Sequence, residues 1–146
     1  MERNQNVLKS EEYKRNFFKK EVLRTLIMEG MTIDYAGDGV SELSLKITDK
    51  MLNTYSKVHG GILFTLSDYA AGSCAYEMGK AVVTLNANIN FIKAVNTQEI
   101  IAKGKAVHSG KSTVVVNVET MDKKTGELLS TSSFTMFVIG DAQDFI

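Results

Sequence analysis

Between Val58 and Tyr76 the sequence reads VHGGILFTLSDYAAGSCAY, and after His59 at its start the one ionisable group of consequence is Asp68, set among apolar and small residues. An unpaired carboxylate is costly to bury, so proteins neutralise it, pair it or use it. In an apolar, ligand-lined site a carboxylate can activate water as a general base or attack a carbonyl directly, and desolvation would tend to raise its pKa. The triplet His59-Gly60-Gly61 is the second chemical feature. At a helix start its backbone N–H groups can face a ligand with no Cβ in the way and stabilise developing negative charge, helped by the helix dipole. Each feature also has a plainer reading. A glycine pair permits close packing of helix on sheet, and most aspartates are simply solvated or cap a neighbouring loop.

Spacing adds a constraint. Eight residues of straight helix put Gly60 and Asp68 about 12 Å apart along the axis, so one helix cannot present both to one carbonyl. If both act, the amide donors and the carboxylate come from different subunits, which predicts at least a two-fold dimer with equivalent sites at its interface. A nucleophile pair of Cys74 and His59 fails on the same measure, since fifteen residues of helix separate them by about 22 Å. Cys74 reads as core packing, and His59 as a supporting group that orients the loop or a substrate carbonyl.

The elements that must position these groups follow from periodicity. Ser10 with Glu11 and Glu12 suits a helix start, Tyr13, Phe17, Val22 and Leu26 recur near helical spacing, and Gly30 can end that helix. From Met31 the period is two: Met31, Ile33 and Tyr35, a turn at Gly37 to Gly39, then Leu43, Leu45 and Ile47 form a hairpin. A polar connection leads to a helix from about Gly60 to Met78. Beyond Gly79 at least four strand-like runs follow. In the first, Val83, Leu85, Ala87, Ile89 and Phe91 occupy one face and Thr84, Asn86, Asn88 and Asn90 the other. The order implies an α+β fold in which one antiparallel sheet wraps a long central helix, with an extra helix before it.

Composition narrows the function. The 146 residues carry 17 Lys plus Arg against 17 Asp plus Glu, so there is no bulk field for nucleic acid or an acidic membrane. One domain over residues 1–146 is expected, with residues 1–30 a helical segment packed on it. The single cysteine rules out an intrachain disulfide and fits a reducing compartment. The charged N-terminus lacks the apolar core of a signal peptide, and the longest apolar stretch is too short to span a bilayer, which makes the cytoplasm the expected location. His59, His108 and Cys74 do not make a metal site, and no cofactor is expected.

The segments NTYSKVHGGILFTLSDYAAG, VVTLNANINFIKAV and VHSGKSTVVVNVETMDKKTGELLSTSSFTMF together resemble the hotdog-fold thioesterases of the PaaI-like, phenylacetate-pathway family. The likeness spans roughly residues 20–139; its centre is an Asn six before the His-Gly-Gly and an Asp nine after that His. It implies a homodimer, or a tetramer as a dimer of dimers, with Asp68 as base or nucleophile and the Gly60 and Gly61 amides polarising the carbonyl. It further implies that Asn53 helps shape the site and that Thr84 helps place the attacking water. A loop Asn serving its own backbone and a strand Thr on the polar face are the plainer alternatives. Ser56 stands where the family usually has Gly, and Ala94 where a Pro commonly follows the strand.

The implied substrate is an acyl-CoA, whose thioester carbonyl is open to attack and whose thiolate leaves readily. Phe64, Leu63 and Tyr69 are candidates to hold the acyl group. Lys103, Lys105 and Lys111 are candidates for the phosphates, unless they merely solvate a strand face. Two other readings stay open: a non-catalytic acyl-CoA-binding module, and a hydratase or dehydratase on the same fold. The first would normally be fused to an effector domain, for which the chain before the sheet offers only one amphipathic helix. The second would want a His and acid pair working across the substrate.

Overall fold

The computed structural model describes residues 27–145. The helix expected over Ser10 to Gly30 lies almost wholly outside them; its last residues, 27–30, form a bend and a turn. Six strands follow: β1 (Met31–Gly37), β2 (Val40–Lys46), β3 (Lys80–Phe91), β4 (Glu99–Ser109), β5 (Thr113–Asp122) and β6 (Leu128–Asp141). They form one antiparallel sheet in the order β1-β2-β4-β5-β6-β3. Between β2 and β3 runs the helix α1 (Gly60–Glu77), preceded by a short 3-10 turn at Asp49–Met51 that buries Met51. Among the described residues no helix is long and apolar enough to cross a membrane.

Helix α1 packs against all six strands, so apolar or small residues occupy most of its circumference. Leu63, Leu66, Ala70, Ala71, Cys74 and Ala75 are buried against Leu43, Leu45, Ile100, Ala102, Val114, Val116, Phe134 and Met136. Small side chains let helix and sheet approach closely. At Gly104 on β4 an added Cβ would fall 2.6 Å from Ser41 Oγ and 3.0 Å from Cys74 Sγ. In the space that Gly104 leaves, Ser41 Oγ donates to the Ala70 carbonyl at 2.7 Å and Cys74 Sγ donates to Ser41 Oγ at 3.2 Å. Burial pushes the Cys74 thiol up, which makes it a poor nucleophile and agrees with a packing role.

The expected alternation in β3 is corrected by a β-bulge between Thr84 and Asn86. Across it, Thr84 pairs with buried Met136, Ala87 with buried Phe134 and Phe91 with buried Ser130. Thr84, Ala87, Ile89 and Phe91 therefore face the helix, whereas Val83, Asn86, Asn88 and Asn90 face outward. One extra residue, Leu85, reverses the face on which Thr84 stands.

The connection after β3 is tied down at both ends. The Leu129 carbonyl accepts from the Ile92 and Lys93 N–H groups at 2.8 and 3.2 Å, and Val58 N–H donates to the Val95 carbonyl at 2.9 Å. Asp122 Oδ1 accepts from the Lys124 and Thr125 N–H groups at 2.9 and 3.0 Å. The Thr97 hydroxyl and these N–H donors hold its carboxyl below the usual range.

Candidate active site

Asp68 stands on the least covered side of α1, in line with Gly61, Thr65 and Gly72 at helical spacing. The bulge in β3 aims Thr84 at it, and Thr84 Oγ1 donates to Asp68 Oδ1 at 2.5 Å. Asp68 Oδ2 has no protein donor among the described residues, which leaves it open to a water or a substrate. Asp68 is thus half-buried, with one oxygen oriented by a hydroxyl and the other free.

At the head of α1, His59 is the N-cap residue, and its side chain makes no capping hydrogen bond. Its carbonyl accepts from the Ile62 and Leu63 N–H groups at 3.0 and 3.4 Å, and its own N–H donates to the Met51 carbonyl. The Gly60 and Gly61 N–H groups meet no acceptor among the described residues. Space in front of Gly61 is open, for a Cβ there would have no neighbour within 4 Å. Gly60 is covered on one side by the Phe91 ring, with Cε1 and Cζ each 3.1 Å from where its Cβ would lie. The exposed imidazole of His59 makes no hydrogen bond to a described residue.

Asn53 shapes the approach to this helix start. Its Oδ1 accepts from the Tyr55 and Lys57 N–H groups at 2.9 and 3.1 Å, and its N–H donates to the Lys57 carbonyl at 2.7 Å. This closes a tight loop whose apex, Ser56, has φ 59°. A left-handed backbone of this kind is one that glycine adopts without the Cβ clash other residues meet.

The other candidates separate into two places. Phe64 lies one turn before Asp68, half-buried, its ring 5.4 Å from that of Phe134. The Tyr69 hydroxyl accepts from the Ile27 N–H at 3.4 Å. Lys103 and Lys105 are on the outer face of the sheet, opposite α1, because the alternating Ala102 and Gly104 face the helix. Lys103 sits there between Glu42 and Glu119 on the neighbouring strands, 3.9 Å from the Glu42 carboxylate. Lys111 is exposed in the turn between β4 and β5. The structure brings together Asp68 and Thr84 and, some turns away, Gly60, Gly61 and His59; it does not bring the lysines to either. A concavity of about 360 Å³ on the outer face is lined by Asn88, Asn90, Asn117, Glu119, Thr131 and Ser133, across the sheet from Asp68. Phe91, read from sequence only as one apolar residue of a strand, is the site neighbour that periodicity did not single out.

The family model of the thioesterase superfamily matches residues 55–129, from the Asn53 loop to the start of β6. The chain belongs to this superfamily, and its sheet wrapped on one helix is the hotdog fold. The 1,4-dihydroxy-2-naphthoyl-CoA hydrolase of Listeria monocytogenes is 30% identical over 75% of this chain and 90% of its own. A hypothetical thioesterase protein of Streptococcus pneumoniae, solved with coenzyme A, superposes with a TM-score of 0.74 at 35% identity, covering 78% of this chain and 89% of that one. The acyl-coenzyme A thioesterase PaaI of Escherichia coli is 28% identical over 65% of this chain and 69% of its own. Its structure superposes with a TM-score of 0.73 over 77% of this chain and 81% of that one. The PaaI-like character read from the His-Gly-Gly and Asp motif therefore holds in sequence and in fold.

Proposed function

We propose that this thioesterase hydrolyses the thioester of aryl- or medium-chain acyl-CoAs to the free acid and coenzyme A, at sites shared between two subunits. The observation that carries the reading is the hydrogen bond from Thr84 to Asp68 on the least covered side of the central helix. With Oδ1 engaged by Thr84, Oδ2 takes the proton of a water as that water attacks the carbonyl, and Thr84 fixes the plane of the carboxylate. The Gly60 and Gly61 N–H groups, which meet no acceptor among the described residues, receive the oxyanion as it forms, and the departing thiolate needs little help. The Streptococcus pneumoniae relative is known also as Asp-to-Ala and Thr-to-Ala variants, at positions sixteen residues apart, the separation of Asp68 and Thr84. The named relatives act on, or were solved with, coenzyme A compounds, which supports that substrate class.

The second subunit follows from distance. Because Gly60 and Asp68 stand about 12 Å apart on one helix, the amide donors of one subunit work with the Asp68 of another. Strand β3 supports the pairing. It is a terminal strand of the sheet, twelve residues long, with Val83 and Leu85 exposed and no charged side chain after Lys80. An edge of that kind invites another strand.

Thiol release from a panel of aryl and short-to-long aliphatic acyl-CoAs tests the proposal in the wild type and in Asp68→Asn. The expected result is turnover by the wild type and a loss of roughly 10²- to 10⁴-fold in a folded Asp68→Asn protein. A wild type that binds acyl-CoA without releasing thiol would make the protein a binding module instead. Equal activity in both proteins would remove Asp68 from the mechanism.

A further inference from the structure

We infer that Phe91 is a specificity-determining residue, forming the apolar wall against which the acyl chain of the substrate lies; the inference rests on the function proposed above. Phe91 ends β3, and its register opposite buried Ser130 turns the side chain to the helix side of the sheet. From there the ring reaches the first turn of α1 and rests on Gly60, whose missing Cβ makes the approach possible. The residue nevertheless remains 54% exposed within its own chain. One side is held against backbone, and the other is left uncovered by its own chain beside two N–H groups that meet no acceptor among the described residues.

The backbone around the ring is fixed. The Ile92 and Lys93 N–H groups anchor to Leu129, and the Val58 N–H to Val95, so strand end and helix start form one rigid frame. A carbonyl placed on the Gly60 and Gly61 amides must lie next to the ring. The substituent on that carbonyl then meets an apolar surface, and contact with it removes water from one side of the amide donors. An acetyl group is too short to cover the ring, whereas an aryl or medium-length chain covers it.

The experiment compares wild type, Phe91→Ala and Phe91→Leu on acetyl-, medium-chain and aryl-CoAs, with folding checked by circular dichroism and melting. Phe91→Ala should lose roughly ten- to a hundredfold in kcat/KM on the medium-chain and aryl substrates and less than about threefold on acetyl-CoA, with Phe91→Leu between. A uniform loss across the panel would show that the ring only supports the frame, and no loss would show that the substrate does not touch it; both overturn the inference. Where Phe91→Ala does not fold, the flattening of chain-length preference is read from Phe91→Leu alone. Should the wild type release thiol from none of the panel, the proposed function fails on its own account. Phe91 is then judged by Kd for the same intact acyl-CoAs: a chain-length dependence lost in the variants upholds its role, and an unchanged or absent dependence overturns it.

Discussion

In the proposed mechanism the Thr84 hydroxyl acts without touching the bond that breaks. Its Oγ1 donates to one oxygen of Asp68 and fixes the direction of the other. A base whose free oxygen swings away from the attacking water loses rate even when its ionisation is intact. Thr84→Ala should therefore lower kcat by roughly ten- to a hundredfold with KM nearly unchanged, and Thr84→Ser should restore most of it, because serine keeps the donor. Steady-state kinetics on one good acyl-CoA decides this. A rise in KM at constant kcat would instead give Thr84 a binding role. Asp68 itself stood out in the sequence, as a charge among apolar and small residues. The hydroxyl beside it was named only through the family resemblance, for strict alternation placed Thr84 on the face with Asn86 and Asn88.

The elements vary in how plainly the sequence announces them, and the reasons are physical. Helix α1 was expected over about Gly60 to Met78 and runs Gly60–Glu77, because a glycine pair, a small-residue core and Gly79 mark its ends. The strands follow from period two. The bulge at Leu85 leaves no trace in that pattern, since an extra apolar residue between Thr84 and Asn86 looks like the next alternation. The faces of Lys103 and Lys105 were implicit, because Ala102 and Gly104 between them are the residues small enough to lie under the helix. The loop before α1 carries a clear mark of local strain at Ser56, which adopts a left-handed φ of 59°. Such a conformation costs a non-glycine residue about 1–2 kcal/mol, partly offset by the greater chain entropy that glycine loses on folding. Ser56→Gly should raise stability by about 0.5–1 kcal/mol in urea denaturation. A destabilised variant would show that the serine side chain holds the loop in a way its backbone does not require.

On the function proposed above, the site is complete only in an assembly of two subunits. The Gly60 and Gly61 amides stand at the start of α1 and Asp68 at its middle, where Thr84 of β3 meets it, and the run of β3 beyond Lys80 is an uncharged terminal edge. Shared sites make a specific prediction about mixed subunits. Asp68→Asn removes the carboxylate, and Gly60→Val puts a side chain where Phe91 rests and the carbonyl must come. Each variant alone should be nearly inactive. In a dimer with one subunit of each kind, one site collects both defects and the other has neither, so that site is intact. Random pairing of equal amounts gives half mixed dimers with half their sites active, or about a quarter of wild-type activity per subunit. Co-expression under two different tags, with purification through both, isolates the mixed dimer and should raise its activity to about half. If each subunit instead used its own Gly60 and its own Asp68, every site in every mixture would carry one defect, and mixing would recover nothing. Recovery also excludes a monomer, because separate chains have no means of combining an intact carboxylate with intact amides.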